Sequence, residues 1–412
     1  MLFCNNLMIT VFGEKGEKNM SEKTGFLKKR FEDLDEKGYT WTIRSLSGPS
    51  KPQVTVDGKK CIMLASNNYL NLANHPHLRQ AGIDAIEKYG AGAGSDWSIA
   101  GTMDVHTQLF ERIAKFKNTE AAVTFQTGFA VNAGVIPQIA GKGDMVISDE
   151  LNHGSIIDGV RLTKAERGIY AHSDMGELEK LLQQASKKDF NHIFVITDGV
   201  FSMDGDIAKM DEIYKLAHEY GALTYVDDAH GEGVLGNGYG IGKEFDLEKE
   251  IDFQMGTFSK AFGGFGGMFA GSEYTVKYAW NTARSWLLSA AFPPHVAAIN
   301  LAAMDIVEQE PERVKKLWDH TKYFKKEIEN LGFDTGYSQT PIIPAIVGDS
   351  KKAQQLANRM YDEGIFALAI VFPMVSRDKA RIRNQMNAGM SKGDLDEVLS
   401  VYEKLGKELK LV

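Results

Sequence analysis

Polar side chains that could do chemistry recur just after short apolar runs of this sequence. Lys260 lies in GTFSKAFGGFGG (256–267), a segment of small residues that overlaps the end of FQMGTF. Similar positions follow four other runs: His153 after MVIS, Asp198 and Ser202 after HIFVIT, Asp227 and His230 at the end of LTYVD, and Gly128 and Phe129 after AAVTF. If these runs are parallel strands of one sheet, their carboxyl ends bring all of these residues to the same edge.

Each of these residues also has a purely structural interpretation. Asp227 can cap a helix, His153 can be a hydrogen-bonded loop histidine, and Gly128-Phe129 can be a turn packed on the core. The glycines after Lys260 can simply allow a turn, with the lysine facing water. Convergence on one edge favours the functional interpretation, because unrelated structural needs would not gather a lysine, a carboxylate, an imidazole and a glycine turn.

The chemistry that needs this set is that of pyridoxal 5′-phosphate. A lysine amine forms a Schiff base with the cofactor's aldehyde, and a carboxylate keeps the pyridine nitrogen protonated. An imidazole packs on the ring, and N–H groups at a helix N-terminus hold the phosphate. Lys260, Asp227, His153 and Gly128-Phe129 fill these roles in turn. The sequence therefore predicts a pyridoxal-phosphate site and no metal site.

The elements that must position these residues follow from the hydrophobic pattern. Apolar runs without polar alternation predict strands that are buried on both faces. These runs are 121–125, 145–148, 192–197, 223–227 and 253–258. Helical patterns at 106–117 and 210–221 lie between or beside them, which predicts a mostly parallel α/β sheet flanked by helices.

Outside this region the pattern changes twice. Residues 26–37 read as an amphipathic helix, and PQVTVDGKKCIMLAS reads as a hairpin that turns at Asp57-Gly58. After about residue 295, a long helical stretch at 296–331 precedes further runs and helices that predict a small α+β domain. The predicted organisation is a disordered extension or misassigned start codon at 1–19, a helix and hairpin segment at 20–64, a large cofactor domain at 65–295 and a small domain at 296–412.

Composition excludes several classes of protein. The 412 residues are 43% hydrophobic and 25% charged, which is an ordinary globular mixture. A net charge of −8 without a long basic run argues against nucleic-acid binding. No apolar run approaches the roughly 18 residues of a membrane span. Two cysteines cannot form a disulfide framework, which fits a reducing cytoplasm.

Five motifs in order resemble one known family, the α-oxoamine synthases, over about residues 38–410. The motifs are ASNNYLNLANHP (65–76), SDELNHGSIIDGVRL (148–162), TDGVFSMDGD (197–206), VDDAHGEGVLG (226–236) and GTFSKAFGG (256–264). The resemblance implies the pyridoxal-phosphate transferase fold of type I and the condensation of an amino acid with an acyl-CoA. It also implies a homodimer whose active sites are shared between subunits.

The resemblance assigns further roles by position. It implies Lys260 as the Schiff-base lysine and the base at Cα, Asp227 at the pyridine nitrogen and His153 stacked on the ring. The remaining assignments are His230 at the ring hydroxyl, Ser202 and Thr257 at the cofactor, Arg383 at the substrate carboxylate, and Asn67 and Arg44 on the substrate side. Asp198 and ELNHGSIIDGVRL look closest to the glycine C-acetyltransferases, which join glycine and acetyl-CoA. The alternative is an 8-amino-7-oxononanoate synthase, which joins alanine and pimeloyl-CoA and decarboxylates the product.

Several positions depart from the family pattern. Trp97 stands where an arginine is usual, and Ser289-Ala290-Ala291 replaces a segment with a central hydroxyl or amide. Ser376 and Met390 replace a common proline and a common histidine. These departures put the acyl substrate in doubt, and those at Trp97 and Ala290-Ala291 keep open the less favoured hypothesis of a catalytically silent homologue. An aminotransferase or amino-acid decarboxylase of the same fold is a separate, less favoured hypothesis.

Overall fold

The computed structural model describes residues 24–412, so the predicted extension at 1–19 lies outside the described residues. Contacts divide the chain into one compact unit that ends at Ile43 and a second that comprises Arg44–Val412. The predicted boundaries after residues 64 and 295 both fall inside the second unit, and they stay predictions.

The described part of the first unit contains the predicted N-terminal helix, α1 (Gly25–Glu36). Its apolar side chains, including Phe26, Phe31 and Leu34, are exposed. Lys37 forms an ion pair with Asp33 one turn earlier, at 2.6 Å.

The second unit alternates helices and strands. Its helices are α2 (Pro76–Tyr89), α3 (Asp104–Lys117), α4 (Gly128–Ile139), α5 (Gly154–Leu162), α6 (Met175–Ala185), α7 (Met210–Glu219), α8 (Ile241–Glu244), α9 (Glu273–Thr282), α10 (Arg284–Leu287), α11 (Pro294–Gln309), α12 (Glu312–Asn330), α13 (Ser350–Asp362) and α14 (Lys392–Glu408). Its strands are β1 (Gln53–Val56), β2 (Lys59–Met63), β3 (Ala121–Phe125), β4 (Met145–Asp149), β5 (Glu166–Tyr170), β6 (Ile193–Asp198), β7 (Leu223–Asp227), β8 (Phe253–Thr257), β9 (Gly267–Gly271), β10 (Ile342–Gly348), β11 (Ile365–Phe366), β12 (Ala369–Ile370) and β13 (Ala380–Gln385).

The central sheet has seven strands in the order β3-β9-β8-β7-β6-β4-β5. The five strands predicted from apolar runs are all present, and β4, β6 and β8 are buried along their whole length. The pairs from β8 through β7, β6 and β4 to β5 are parallel, whereas β9 runs antiparallel to both β3 and β8. The predicted mostly parallel α/β architecture is confirmed.

The predicted hairpin is also confirmed. Strands β1 and β2 pair antiparallel with Val56 opposite Lys59. Asp57 and Gly58 both have positive φ, at 47° and 81°, as a two-residue type I′ turn requires. β11 adds to this hairpin parallel to β2, so chain from near the C-terminus completes a three-stranded sheet.

The predicted helix at 296–331 is wrong as a single element. The structure has α11 and α12 there, separated by Glu310 and Pro311. Glu310 has φ −121° and ψ 58°, outside the helical region. Proline disfavours helical geometry in the residue before it and has no N–H to continue the helix, which explains the break.

A second small sheet, in the order β10-β13-β12, packs against α13. Its strand β13 carries Arg381 and Arg383, and β10 and β13 pair antiparallel with Pro344 opposite Arg383. Among residues 24–412, no helix has the length and apolar character that crossing a membrane requires.

Candidate functional site

The carboxyl ends of the central strands surround a cavity of about 190 Å³. Eight of the residues predicted for the site line it: Gly128, Phe129, His153, Ser202, Asp227, His230, Thr257 and Lys260. The other lining residues are Thr127, Ser155, Asp198, Val200, Ala229, Met255 and Ser259. The sheet therefore brings together residues that are up to 132 positions apart in the chain, from 128 to 260.

Lys260 enters this cavity from the turn that follows β8. The protein around its amine lowers the pKa of Lys260 to about 8, since burial disfavours the ammonium form. Asp227 opposes this effect by favouring the charged form, and Arg383 adds to it. The amine is therefore close to the balance between its charged and neutral forms near neutral pH.

Asp227, at the end of β7, is held by hydrogen bonds to both of its oxygens. Oδ1 accepts from the Ala229 N–H at 3.0 Å, and Oδ2 accepts from Asn132 Nδ2 at 2.7 Å. Asn132 is itself fixed, because its Oδ1 accepts from the Tyr225 hydroxyl at 2.6 Å and its amide also donates to Ser155 Oγ at 2.8 Å. This network fixes the direction of the carboxylate.

His153 caps α5 and belongs to the same network. Its Nδ1 lies 2.7 Å from Ser155 Oγ, and its backbone N–H donates to Asp198 Oδ2 at 3.0 Å. Burial lowers the pKa of His153. The negative charge of Asp227 opposes this shift, whereas the positive charge of Lys260 adds to it. Burial likewise raises the pKa of Asp198, and the neighbouring Asp227 charge acts in the same direction.

The N-terminus of α4 forms another wall of the cavity. Thr127 caps this helix by accepting from the Ala130 N–H, so the first N–H groups of the helix are left for another acceptor. A Cβ added to Gly128 would lie 2.7 Å from Met255 Cε, which shows how closely the backbone passes the strands. Beside Gly128, Thr257 Oγ1 lies 2.9 Å from Ser259 Oγ. Hydroxyls and helix N–H groups together suit a phosphate.

Arg383 lies beside the cavity rather than in its lining. Its Nε donates to the Ser202 carbonyl at 2.5 Å, and its Nη1 donates to Asn67 Oδ1 at 3.3 Å. Within the described chain, the buried Nη2 has no hydrogen-bond partner. A buried guanidinium with a spare donor is suited to binding a carboxylate.

His230 connects this arginine to the cavity. Its Nδ1 lies 2.9 Å from the Tyr69 hydroxyl, and Tyr69 also reaches Asn67 Oδ1 at 3.5 Å. Burial lowers the pKa of His230, and the positive charges of Lys260 and Arg383 lower it further. The imidazole is therefore neutral at physiological pH.

Arg44 is the one predicted site residue that the structure places elsewhere. Its Nη1 pairs with Asp57 Oδ2 at 3.2 Å, and its Cζ lies 3.7 Å from the centre of the Tyr361 ring. Its assignment to the substrate stays a prediction.

The departures from the family pattern have structural counterparts. Trp97 is buried against an aromatic cluster, stacked at 5.9 Å on Trp286 and edge-on at 4.9 Å to Phe292. Ala290 and Ala291 lie against the same turn: Ala290 bridges to Asp96, and the Ala291 N–H donates to the Ser95 carbonyl. Two of the departures are thus one local change. Met390 is buried in the core and Ser376 is exposed.

Sequence reasoning did not assign Asn132, Ser155 or Ser259 to the site. Asn132 could have been found, because it lies four residues after Gly128, on the same side of the apolar helix GFAVNAGVIPQI. Ser259 precedes Lys260 directly. For Ser155 there was no signal beyond its place after His153.

These residues fit pyridoxal phosphate. An amine with a lowered pKa, a fixed carboxylate, a neutral imidazole and a helix N-terminus with neighbouring hydroxyls lie around one cavity. They match the aldehyde, pyridine nitrogen, ring face and phosphate of the cofactor.

Comparison with known proteins agrees with this assignment and confirms the predicted pyridoxal-phosphate transferase fold of type I. Residues 59–401 match the family described as Aminotransferase class I and II. An 8-amino-7-oxononanoate synthase of Symbiobacterium thermophilum is 50% identical over 94% of this chain and 99% of its own. One of Thermoanaerobacter pseudethanolicus is 48% identical over 94% and 98%. A solved serine palmitoyltransferase of S. paucimobilis, with bound PLP and myriocin, superposes with a TM-score of 0.89, at 27% identity over 96% of this chain and 100% of that one.

Proposed function

We propose that this chain, which belongs to the class I and II aminotransferase family, joins alanine and pimeloyl-CoA to form 8-amino-7-oxononanoate, CoA and carbon dioxide. It is a pyridoxal-phosphate-dependent acyltransferase of the α-oxoamine synthase type. The observation that carries this proposal is 50% identity, over nearly the whole length of both chains, to a relative named for that product. Other relatives at 44–48% identity bear the same name.

This proposal replaces the preference for glycine C-acetyltransferase, which the relatives do not support. That preference rested on Asp198 and on the run ELNHGSIIDGVRL (150–162). In the structure Asp198 accepts a hydrogen bond from the His153 N–H, a contact that orients the imidazole whatever the acyl group is. Asp198 is therefore a poor indicator of the acyl substrate.

The residues divide the work between binding and proton transfer. When bound, pyridoxal phosphate supplies an aldehyde that combines with an amino group and a ring that withdraws electrons from Cα. Asp227 would hold the proton of the pyridine nitrogen, and His153 would pack on the ring. The α4 N-terminus, Thr257 and Ser259 would hold the phosphate. Lys260, with a pKa of about 8, takes the proton from Cα of the amino acid. Arg383 binds the substrate carboxylate through its spare Nη2.

A homodimer is part of the proposal. Phe129 lines the cavity and is half exposed, and Phe265, in the glycine-rich segment after Lys260, is 45% exposed. A second copy of the chain that covers these rings would close the site.

The decisive experiment measures CoA release by the purified protein loaded with pyridoxal phosphate. Alanine with pimeloyl-CoA is compared with glycine and acetyl-CoA and with serine and palmitoyl-CoA. We expect the first pair to react at least about tenfold faster in kcat/KM than the others. A faster glycine and acetyl-CoA reaction would restore the earlier preference. Lys260→Ala is the inactive control, and the exposed Lys249→Ala is its matched control and should behave as wild type.

A further inference from the structure

Three charged side chains form a buried cluster behind the cavity. Lys117 Nζ lies 2.9 Å from Glu232 Oε1 and 3.3 Å from Asp228 Oδ2. The side chains of Lys117, Asp228 and Glu232 are 3%, 2% and 0% exposed. None of the three lines the cavity, and the proposed reaction uses none of them.

The cluster is connected to the backbone on both sides of the site. Glu232 uses its second oxygen, Oε2, to accept from the Thr257 N–H at 3.0 Å. Asp228 Oδ2 accepts from the Ile241 N–H at 2.9 Å. Glu232 therefore lies between Lys117 on one oxygen and the end of β8 on the other.

Gly256 leaves the space that this contact needs. A Cβ at Gly256 would lie 2.0–2.2 Å from the carboxylate atoms of Glu232. Gly256 lies inside β8, so it is the buried carboxylate that requires a residue without a side chain there. This contact lies four residues before Lys260.

The cluster joins three elements. Lys117 is the last residue of α3, while Asp228 and Glu232 alternate with the site residues Asp227 and His230 in the loop after β7. Thr257 ends β8 and begins the turn that carries Lys260. One set of ion pairs therefore holds the loop of Asp227 against the turn of Lys260.

Stability alone is a poor reason for this arrangement. Removing charges from water costs several kcal/mol per ion, and well-packed apolar residues in place of a buried ion cluster are often as stable or more stable. A cluster that is retained at such a cost, and that contacts the backbone of the site, points to a positioning role.

We propose that Lys117 and Glu232 are positioning residues for Lys260: their ion pair fixes the Thr257 amide and places the Glu232 charge beside the turn that bears the reacting amine. This inference rests on the proposed role of Lys260 at the cofactor. Negative groups that act on this amine are Asp227, Asp198 and Glu232, and Arg383 acts in the opposite sense. His153 and His230 also line the cavity and are affected by the lysine charge.

The test compares two charge-removing variants of the holoenzyme, Glu232→Gln and Asp228→Asn. Both take one carboxylate from the same lysine, but only Glu232 contacts Thr257. The readout is the pH midpoint of the visible absorbance of bound pyridoxal phosphate, measured beside thermal unfolding. We expect Glu232→Gln to lower the midpoint by about half a pH unit or more, because a negative charge that favours a protonated nitrogen is lost. Asp228→Asn should shift it by less than half as much, with a similar loss of stability.

A second variant covers the case in which Glu232→Gln does not fold. Lys117→Met combined with Glu232→Gln removes the pair as a unit and leaves an amide oxygen for Thr257. It should also lower the midpoint, because the lost carboxylate is nearer to the turn than the lost ammonium. Lys115→Met, an exposed lysine on the same helix, should match wild type. A wild-type midpoint in the folded Glu232 variants, or equal shifts for Glu232→Gln and Asp228→Asn, would overturn the proposal. A wild-type protein without cofactor absorbance would instead refute the role of Lys260 itself.

Discussion

The amine of Lys260 lies among charges of both signs, and this decides when it can react. Only the neutral amine attacks an aldehyde, and in water a lysine is almost wholly protonated at neutral pH. In this cavity burial and Arg383 lower the pKa to about 8, while Asp227 limits the shift. The site therefore offers an appreciable fraction of neutral amine without a separate base.

This pKa predicts the pH dependence of cofactor binding. The rate constant for association of pyridoxal phosphate with the apoprotein should rise with pH up to about 8 and then level off, rather than rise towards the ordinary lysine pKa. Stopped-flow absorbance measures it. Asp227→Asn removes a charge that favours the ammonium form, so its plateau should begin at lower pH. A wild-type profile that still rises steeply above about pH 9 would contradict a lowered lysine pKa.

Arg383 allows a second prediction at the residue scale. Arg383→Lys keeps the charge but loses the planar pair of donors, so the amino-acid KM should rise about tenfold or more while kcat changes less. Arg381→Lys is the matched control. It lies two residues earlier on β13 and pairs with Asp204 instead, so its KM should stay within about twofold of wild type. Steady-state kinetics with varied amino acid distinguish the two; an unchanged KM in Arg383→Lys would remove this arginine from the carboxylate site.

The positions of the site residues could be predicted because they follow parallel strands. That rule needs only strand ends, and it brought Lys260, Asp227 and His153 to one edge. Strand ends alone do not indicate Asn132, which lies one turn into α4 and needs the helical spacing as a second signal; its contact with Asp227 depends on how α4 packs on the sheet. Nor do they reveal the pairing of Lys117 with Glu232, since the two residues are 115 positions apart and neither follows a strand directly.

At the scale of elements, the apolar runs were informative and the exceptions have physical causes. The sequence did not predict β5, because this edge strand begins with Glu166 and Arg167 and buries only Gly168 and Tyr170. The direction of β9 was also not predictable from its composition. A connection of nine residues, from 258 to 266, turns the chain back beside β8, and an antiparallel neighbour follows from so short a connection.

The hairpin turn provides a test at this scale. Gly58 has φ 81° and open space around its Cα, so Gly58→Ala adds no clash but forces an L-residue into left-handed backbone. We expect a loss of about 1–2 kcal/mol in the free energy of unfolding. Gly92→Ala is the control, since that glycine also has open space and is exposed, and its φ lies outside the left-handed range. Urea unfolding measures both, and equal effects would show that the turn conformation is not the cause.

At the scale of the whole molecule, the placement of the site suggests more than one chain. The cavity opens beside Phe129, and the turn of Lys260 leads directly into exposed Phe265. Apolar surface exposed at the edge of a site can mark a surface that another molecule covers. The proposed homodimer would supply that cover from an identical surface.

The assembly can be tested by one substitution and its control. Sedimentation of the holoenzyme at micromolar concentration should give a particle of two chains. Phe265→Asp should weaken association at least about tenfold, because a buried aromatic at an interface centre contributes strongly and a carboxylate there is left without a partner. Tyr337→Asp alters a ring that is 83% exposed in the loop before β10, and it should sediment as wild type.

Because the glycine-rich segment joins Phe265 to Lys260, dissociation of the Phe265 variant should also weaken pyridoxal-phosphate binding. A wild-type enzyme that is active as a single chain would refute the shared site and leave the cavity of one chain as the whole catalytic centre.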